Sequence, residues 1–437
     1  MSSSEVFDSK LLNRRQFVKV AGGATLSLSA LLAACGSTNA TGNGSLSIDF
    51  LSVQLATGVW PTTLSAITKT YAKTHAGTTF TLDYVPQATL NQKIQLVAAQ
   101  GALPVLYNTP PADLMVQLVK DGEALDLDAT LQQLGVTDQL VPAAVTLLKK
   151  VYGTPLNALP FELNIEGFWY NKQIFSQNNI QPPTTWDELL QIAAQFQQKG
   201  IQPFAASGIQ GWPLTRLIGD YLFRKLGPDA LDRVQSGQAK LTDPAYVEAA
   251  QVVANMGKAG YFGKGVATLD YTPALNLFEQ GKTAMIYMGS WELASFNNPS
   301  LSTIGASNIG FFPFPNVVGG VGSSDQTPMN AGQPTSVNKA KYNADFGKWL
   351  TYMVQNYGDV ALQQSAVTGF VVHNKPASLP ALTTLVIDEI ARVTQPVLWF
   401  EALFSTKATN ASQQDAAPLV TGAMSPASFM AAVQQAL

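Results

Sequence analysis

Apolar and polar positions along this chain follow two rhythms that alternate. Leu46, Ile48 and Phe50 are apolar against polar neighbours, which predicts a strand; residues 61–75 then take helical spacing, and Thr79 to Tyr84 returns to strand. A helix over 90–100, an apolar segment from Leu103 to Leu106 and a helix over 112–120 continue the alternation. The most informative stretch runs from Phe161 to Gly200. Its first part, Leu163 to Tyr170, holds Ile165, Phe168, Trp169 and Tyr170 and predicts a buried strand. Gln181-Pro182-Pro183 stops any helix, because proline lacks the amide donor and restricts the residue before it. Thr185 and Glu188 stand at capping-box spacing, Trp186, Leu189, Leu190, Ala193 and Phe196 follow at helical spacing, and Gly200 occupies the left-handed terminal position. Helices are also predicted over 212–226, 229–235, 244–259 and 344–357. Strands alternating with helices in this way give an α/β class.

The first residues follow another pattern. Asn13-Arg14-Arg15-Gln16-Phe17-Val18-Lys19 is basic, Val20 to Ala34 is apolar but too short to span a bilayer, and Leu32-Ala33-Ala34-Cys35 closes the segment with small residues. This predicts an export signal over residues 1–34. Arg14 and Arg15 resemble a twin-arginine pair, with Asn13 where Ser or Thr is usual, and the closing tetrapeptide resembles a lipobox that directs lipid transfer to Cys35. Residues 35–45, rich in Gly, Ser, Thr and Asn, are a tether with nothing to pack. Localisation outside the cytoplasm, anchored to the outer face of the membrane through Cys35, is therefore expected.

Charge and composition narrow the function. The chain's 26 Lys and Arg and 29 Asp and Glu include four and two in the leader, so the remainder carries 22 against 27, a net −5. No basic stripe of the kind that neutralises phosphates is present, which argues against nucleic acid. Cys35 is the single cysteine, and the histidines are His75 and His373, so neither a metal site nor a thiol nucleophile has parts to be built from. Val317 to Ser324 is glycine-rich but lacks the Gly-Lys-Ser/Thr ending of a phosphate loop. Glu162, Glu166, Asp187, Glu279 and Glu292 are the acids on which a glycosidase pair would draw, but Asp187 and Glu188 already serve a helix start. No enzyme activity and no cofactor are expected.

The order of a strand, Tyr170-Asn171-Lys172, Ile174-Phe175 and then Pro183-Thr184-Thr185-Trp186-Asp187-Glu188-Leu189 resembles the extracellular solute-binding proteins of carbohydrate ABC importers, of which the maltodextrin- and glycerol-phosphate-binding proteins are the best-known members. Phe278 to Met285, Gly289-Ser290-Trp291 and Phe311 to Pro315 continue the resemblance, which extends over about 46–437. It implies a two-lobe periplasmic-binding-protein fold of type II, with interleaved lobes joined by hinge crossings: 46–166 and 316–366 in the first, 167–315 and 367–437 in the second. It further implies a receptor that captures a sugar or oligosaccharide between its lobes and delivers it to permease subunits, as a monomer. The alternatives are a lipid-anchored glycan-active enzyme or adhesin, and a receptor for another solute such as glycerol phosphate.

Sugar binding needs flat aromatic faces and polar groups in a cleft. By resemblance the stacking candidates are Trp291, which follows a Gly-Ser break, and Trp399; Trp212 lies near the family's cleft-lining segment, although Ser207 and Ile209 replace polar residues that some relatives carry. Tyr107, Asn108 and Trp60 are expected to face ligand from the first lobe, with Glu162 and Asn164 near the crossing, and Asn330 and Gly332 resemble the family's glycine-rich cleft segment. Pro104-Val105-Leu106 departs from the Pro-Asp-Val of relatives, so contacts of that aspartate do not transfer. No Arg or Lys cluster that would suit an anionic ligand stands out near these candidates.

Overall fold

The computed structural model describes residues 45–437. The leader, Arg14, Arg15, Cys35 and the tether through residue 44 lie outside the described residues. Nine strands follow in chain order: β1 Ser47–Ser52, β2 Thr79–Tyr84, β3 Leu106–Asn108, β4 Asn164–Asn171, β5 Gln202–Ala205, β6 Thr283–Gly289, β7 Ile309–Phe312, β8 Met329–Asn330 and β9 Thr335–Val337. They form two sheets.

The first sheet has the order β2-β1-β3-β9. β1 pairs in parallel with β2 and β3, which requires crossover connections, and the helices Val59–Tyr71 and Leu90–Ala99 supply them. β9 returns antiparallel along β3, with Leu106 opposite Val337. Ile48 and Phe50 of β1 point into a core shared with Leu64, Ile67, Trp349 and Met353. Trp349 lies on the helix Ala344–Leu362 and donates its indole N–H to Thr68 Oγ1 at 3.2 Å, which keeps a buried polar group paired.

The second sheet has the order β5-β6-β4-β7, with β8 on the start of β4. β4 is buried on both faces, with Ile165, Phe168 and Trp169 in the core and the polar Asn164, Glu166 and Asn171 buried beside them. Phe168 at its centre packs against the rings of Tyr287 and Phe312, with centroids 5.2 and 5.3 Å away. The helix Trp186–Gln198 begins with a reciprocal cap: Thr185 Oγ1 accepts from the Glu188 amide at 3.3 Å, and Glu188 Oε2 accepts from the Thr185 amide at 3.1 Å.

Three segments connect the sheets. Leu159 bridges Thr335 on the first-lobe side, while Asn164 and Ile165 oppose Asn330 and Met329 on the second-lobe side, so the outgoing and returning chains run antiparallel between the lobes. The third segment lies beside them, where Val367 accepts from the Leu163 amide at 2.9 Å.

Residues 316–328, expected in the first lobe, pack in the second. Asn316 exchanges backbone bonds with Thr184 and Trp186, Arg224 donates to the Gln326 carbonyl, and Pro328 bridges Val397. Residues 367–374, expected in the second lobe, lie on the first, where Val371 bonds Gln139 and His373 bonds Asp359. Both stretches are loops without periodicity, so their pattern carries no sign of which sheet they cover. Two solvent-exposed contacts also join the lobes: Lys150 Nζ lies 2.8 Å from Asp232 Oδ2, and Thr406 Oγ1 donates to Asp113 Oδ2 at 2.9 Å. Among the described residues no helix is long and apolar enough to cross a membrane.

Candidate functional site

Three tryptophans converge beside the crossing strands. The helix Trp212–Leu226 starts at Gly211, whose φ of 69° suits glycine, and carries Trp212 and Arg216 one turn apart. β6 ends at Gly289, and the short turn that follows presents Trp291. Trp399 comes from the loop after the helix Ala381–Arg392. All three rings are half-buried. Trp212 meets Trp291 edge to face at 5.7 Å and Tyr271 at 5.9 Å. Trp291 donates its indole N–H to the Tyr271 hydroxyl at 2.9 Å, and that hydroxyl donates to Glu292 Oε1.

Arg216 holds this group together. Its guanidinium carbon lies 5.3 Å from the Trp212 centroid and 5.5 Å from the Trp399 centroid, within cation–π range of both. Its Nε donates to Glu166 Oε2 at 2.9 Å and its Nη1 to Glu401 Oε2 at 2.6 Å. Thr215 donates to the other oxygen of Glu401. Burial works against the charge on Arg216, but Glu166 and Glu401 outweigh it and raise the pKa further.

A polar line continues from this triad along the crossings. Asn330 Nδ2 donates to Glu166 Oε1 at 2.9 Å, Asn164 Nδ2 lies 3.3 Å from Asn330 Oδ1, and the same Nδ2 donates to Glu162 Oε2 at 2.8 Å. Glu162 Oε1 accepts the indole N–H of Trp60 at 2.7 Å. Ser290 donates to Asn164 Oδ1 at 3.0 Å, which ties the crossing to the turn that holds Trp291. Burial raises the pKa of Glu162 against the donors Asn164 and Trp60. Burial also lifts Glu292 to about 7; the Tyr271 bond pulls it down, and the charges of Glu279 and Glu162 push it up.

The structure thus gathers Trp212, Trp291 and Trp399, and links Glu162, Asn164, Asn330 and Trp60 to them through hydrogen bonds. Tyr107 and Asn108 stand apart. Tyr107 is fully buried among Leu51, Val85 and Met115. Asn108 is also fully buried, with Oδ1 accepting from the Val53 amide at 2.9 Å and Nδ2 donating to Thr335 Oγ1 at 3.2 Å. Their burial comes from the residues packed on the faces of the sheet around Tyr107 and from the two hydrogen bonds that engage the Asn108 amide. Trp60 is likewise a core residue, 4% exposed, that reaches the crossing only through its N–H. Arg216, a single cation matched by two carboxylates, is a member of this group that the sequence reading did not single out. Its partners Glu166 and Glu401 are 50 and 185 residues away, a pairing that no local pattern displays.

Among the described residues no group of three or more His, Cys, Asp or Glu side chains is placed to hold a metal. A concavity of about 550 Å³ lined by Gln133, Tyr342, Asn343 and Lys348 lies on the outer side of the first lobe, away from the tryptophans.

A family profile described as "Bacterial extracellular solute-binding protein" matches residues 58–356. An uncharacterized ABC transporter extracellular-binding protein of Pyrococcus horikoshii is 26% identical over 220 residues, 47% of this chain and 48% of that protein. The multiple sugar-binding protein of Streptococcus mutans is 28% identical over 253 residues, 55% of this chain and 57% of that protein. The chain thus spans about half the length of the curated relatives it matches. A solved chitin oligosaccharide binding protein superposes with a TM-score of 0.77 at 24% identity, covering 90% of this chain and 98% of that one, and establishes the fold.

Proposed function

The chain belongs to the bacterial extracellular solute-binding proteins, and from that premise we propose that it is the receptor of an ABC importer that captures a neutral sugar or short oligosaccharide between its lobes. The observation that carries this reading is the cluster of half-buried Trp212, Trp291 and Trp399 beside the crossing strands. Flat rings of this kind cover the apolar face of a pyranose. Contacts made from both lobes favour the closed form by the difference in its affinity for ligand, and the closed form docks on the permease. The reading includes export directed by residues 1–34, lipidation of Cys35 and a monomeric receptor on the outer face of the membrane; the basic, apolar and small-residue order of the leader supports the export.

Binding alone, without hydrolysis, suits the acids present. Glu166 and Glu401 are engaged with Arg216, and Glu162 with Trp60 and Asn164, so these carboxylates hold structure in place. The same pairing counts against glycerol phosphate. The Arg216 charge is already matched by two carboxylates, and an anion arriving there meets a net negative environment. A thermal-shift screen with mono- and oligosaccharides, polyols, glycerol phosphates and amino acids tests the reading. A sugar at a hundred times its dissociation constant is expected to add about 2.7 kcal/mol of stability. A shift with glycerol phosphate or an amino acid and with no sugar would overturn the sugar assignment.

A further inference from the structure

An unbroken run of hydrogen bonds leads from the first lobe to the tryptophans of the second. It begins at the Trp60 indole, in the core of the first lobe, and passes to Glu162 at 2.7 Å. Asn164 carries it to Asn330, Asn330 to Glu166 at 2.9 Å, and Glu166 to Arg216 at 2.9 Å. There it ends on Glu401 and Thr215, with the guanidinium against both Trp212 and Trp399. Asn164 and Asn330 are opposite one another on the two antiparallel crossing segments, so the run passes through the place where the lobes turn.

Most members are inaccessible to water: Asn164 is 3% exposed, Glu166 0%, Asn330 8% and Glu401 5%. Buried polar groups of this kind have no solvent to replace a lost partner, so each fixes the orientation of the next. The guanidinium is planar and has two of its edges occupied by carboxylates, which sets its plane and hence the position of the rings resting on it.

We infer that Arg216 is a positioning residue for ligand, and that the Glu162–Asn164–Asn330–Glu166 run makes the placement of Trp212 and Trp399 depend on the geometry of the crossing. The ligand part of this inference rests on the sugar reading above; the coupling part does not. A change in lobe angle alters the Asn164–Asn330 pairing, and the aromatic platform responds before any sugar touches the first lobe.

The test uses the protein labelled with 5-fluorotryptophan, with the Trp212 and Trp399 resonances assigned from single Trp→Phe variants. Arg216→Lys and Trp60→Phe are compared with wild type, first without ligand and then in titrations with raffinose, maltotriose, xylotriose and diacetylchitobiose. Trp60→Phe removes the indole N–H together with part of the ring and leaves a smaller apolar ring in the first-lobe core, and Trp60→Leu, equally unable to donate, serves as the packing control. Trp60→Phe is expected to shift the Trp212 and Trp399 signals although it touches neither ring, and to weaken sugar binding about threefold. Arg216→Lys, whose ammonium cannot bridge two carboxylates and stack on two rings, is expected to weaken binding about tenfold while the protein remains folded. The double variant should lose less than the product of the two. Resonances unmoved by Trp60→Phe overturn the coupling, and full affinity in Arg216→Lys overturns the positioning role. Resonances shifted by Trp60→Phe, together with a wild type that binds none of the four sugars, support the coupling and count against the sugar reading instead.

Discussion

Trp212 and Trp291 meet edge to face, with centroids 5.7 Å apart and ring planes at 64°. Each comes from the start of a different element, one from a helix whose first residue follows a glycine and the other from a turn that closes a strand. A pair that uses the edge of one ring leaves faces available, which is the arrangement a stacked sugar needs. Trp291→Ala is therefore expected to weaken sugar binding by about 1–3 kcal/mol, a factor of roughly 5 to 150 in dissociation constant. Isothermal titration measures this, and unchanged affinity removes Trp291 from the site.

The Arg216 triad gives a prediction by comparison of magnitudes. Glu401→Gln leaves Arg216 paired with Glu166 and removes one charge-assisted bond, a loss of about 1–3 kcal/mol. Arg216→Met instead leaves Glu166 and Glu401 buried without their cation, which costs about 3–5 kcal/mol. Urea unfolding midpoints should fall further for Arg216→Met than for Glu401→Gln. The reverse order would show that the ion pairs are not what stabilises this region.

Glu292 supplies a pH dependence. Its carboxyl titrates near 7 against an ordinary 4.5, because burial disfavours the charged form. The native state therefore holds this proton more tightly than the unfolded chain, and the stability it contributes is fully present below about pH 4.5 and lost as pH rises to about 7. Burial raises Glu162 and Glu401 in the same direction, so they add to the slope. Glu292→Gln should flatten the fall of melting temperature across this window and leave the variant more stable than wild type above it. An unchanged slope would mean that Glu292 titrates normally.

Gly211 sits at φ 69°, and a Cβ there would come within 1.9 Å of the Gln413 carbonyl oxygen, which is backbone and cannot swing aside. Gly211→Ala is expected to destabilise by about 2–4 kcal/mol and to displace the helix that carries Trp212 and Arg216. Thermal melting and a sugar titration of the same sample check both effects. A variant as stable as wild type would show that the adjoining helix yields easily.

Cys35→Ser tests the anchor. The wild type is expected to carry the added mass of a lipid and the variant to lack it, read by mass spectrometry of the membrane and soluble fractions. A lipid mass on the Ser variant, or none on the wild type, would contradict anchoring through Cys35.

The fold class and the family were readable because they rest on local signals. Thr185 with Glu188, the prolines before them and the Phe168-Trp169-Tyr170 run of β4 each fix an element within a few residues. The centre of the candidate site is different. Glu166, Arg216 and Glu401 look like three unrelated charges in the sequence, and only the folding of β4 against the helix Trp212–Leu226 and the later loop brings them together. The burial of Tyr107 and Asn108 was not legible either: they read as a strand end, while β9, more than 200 residues later, pairs with β3 and takes the Asn108 amide through Thr335, 227 positions away.

The rims of the two lobes touch through Lys150 with Asp232 and through Thr406 with Asp113, groups that water solvates almost as well as they solvate each other. Exposed pairs of this sort contribute about 0–1 kcal/mol apiece and weaken further with salt. Rims fastened so lightly add little to holding the lobes together, and on the reading proposed above the cargo between them would set how long the receptor stays closed.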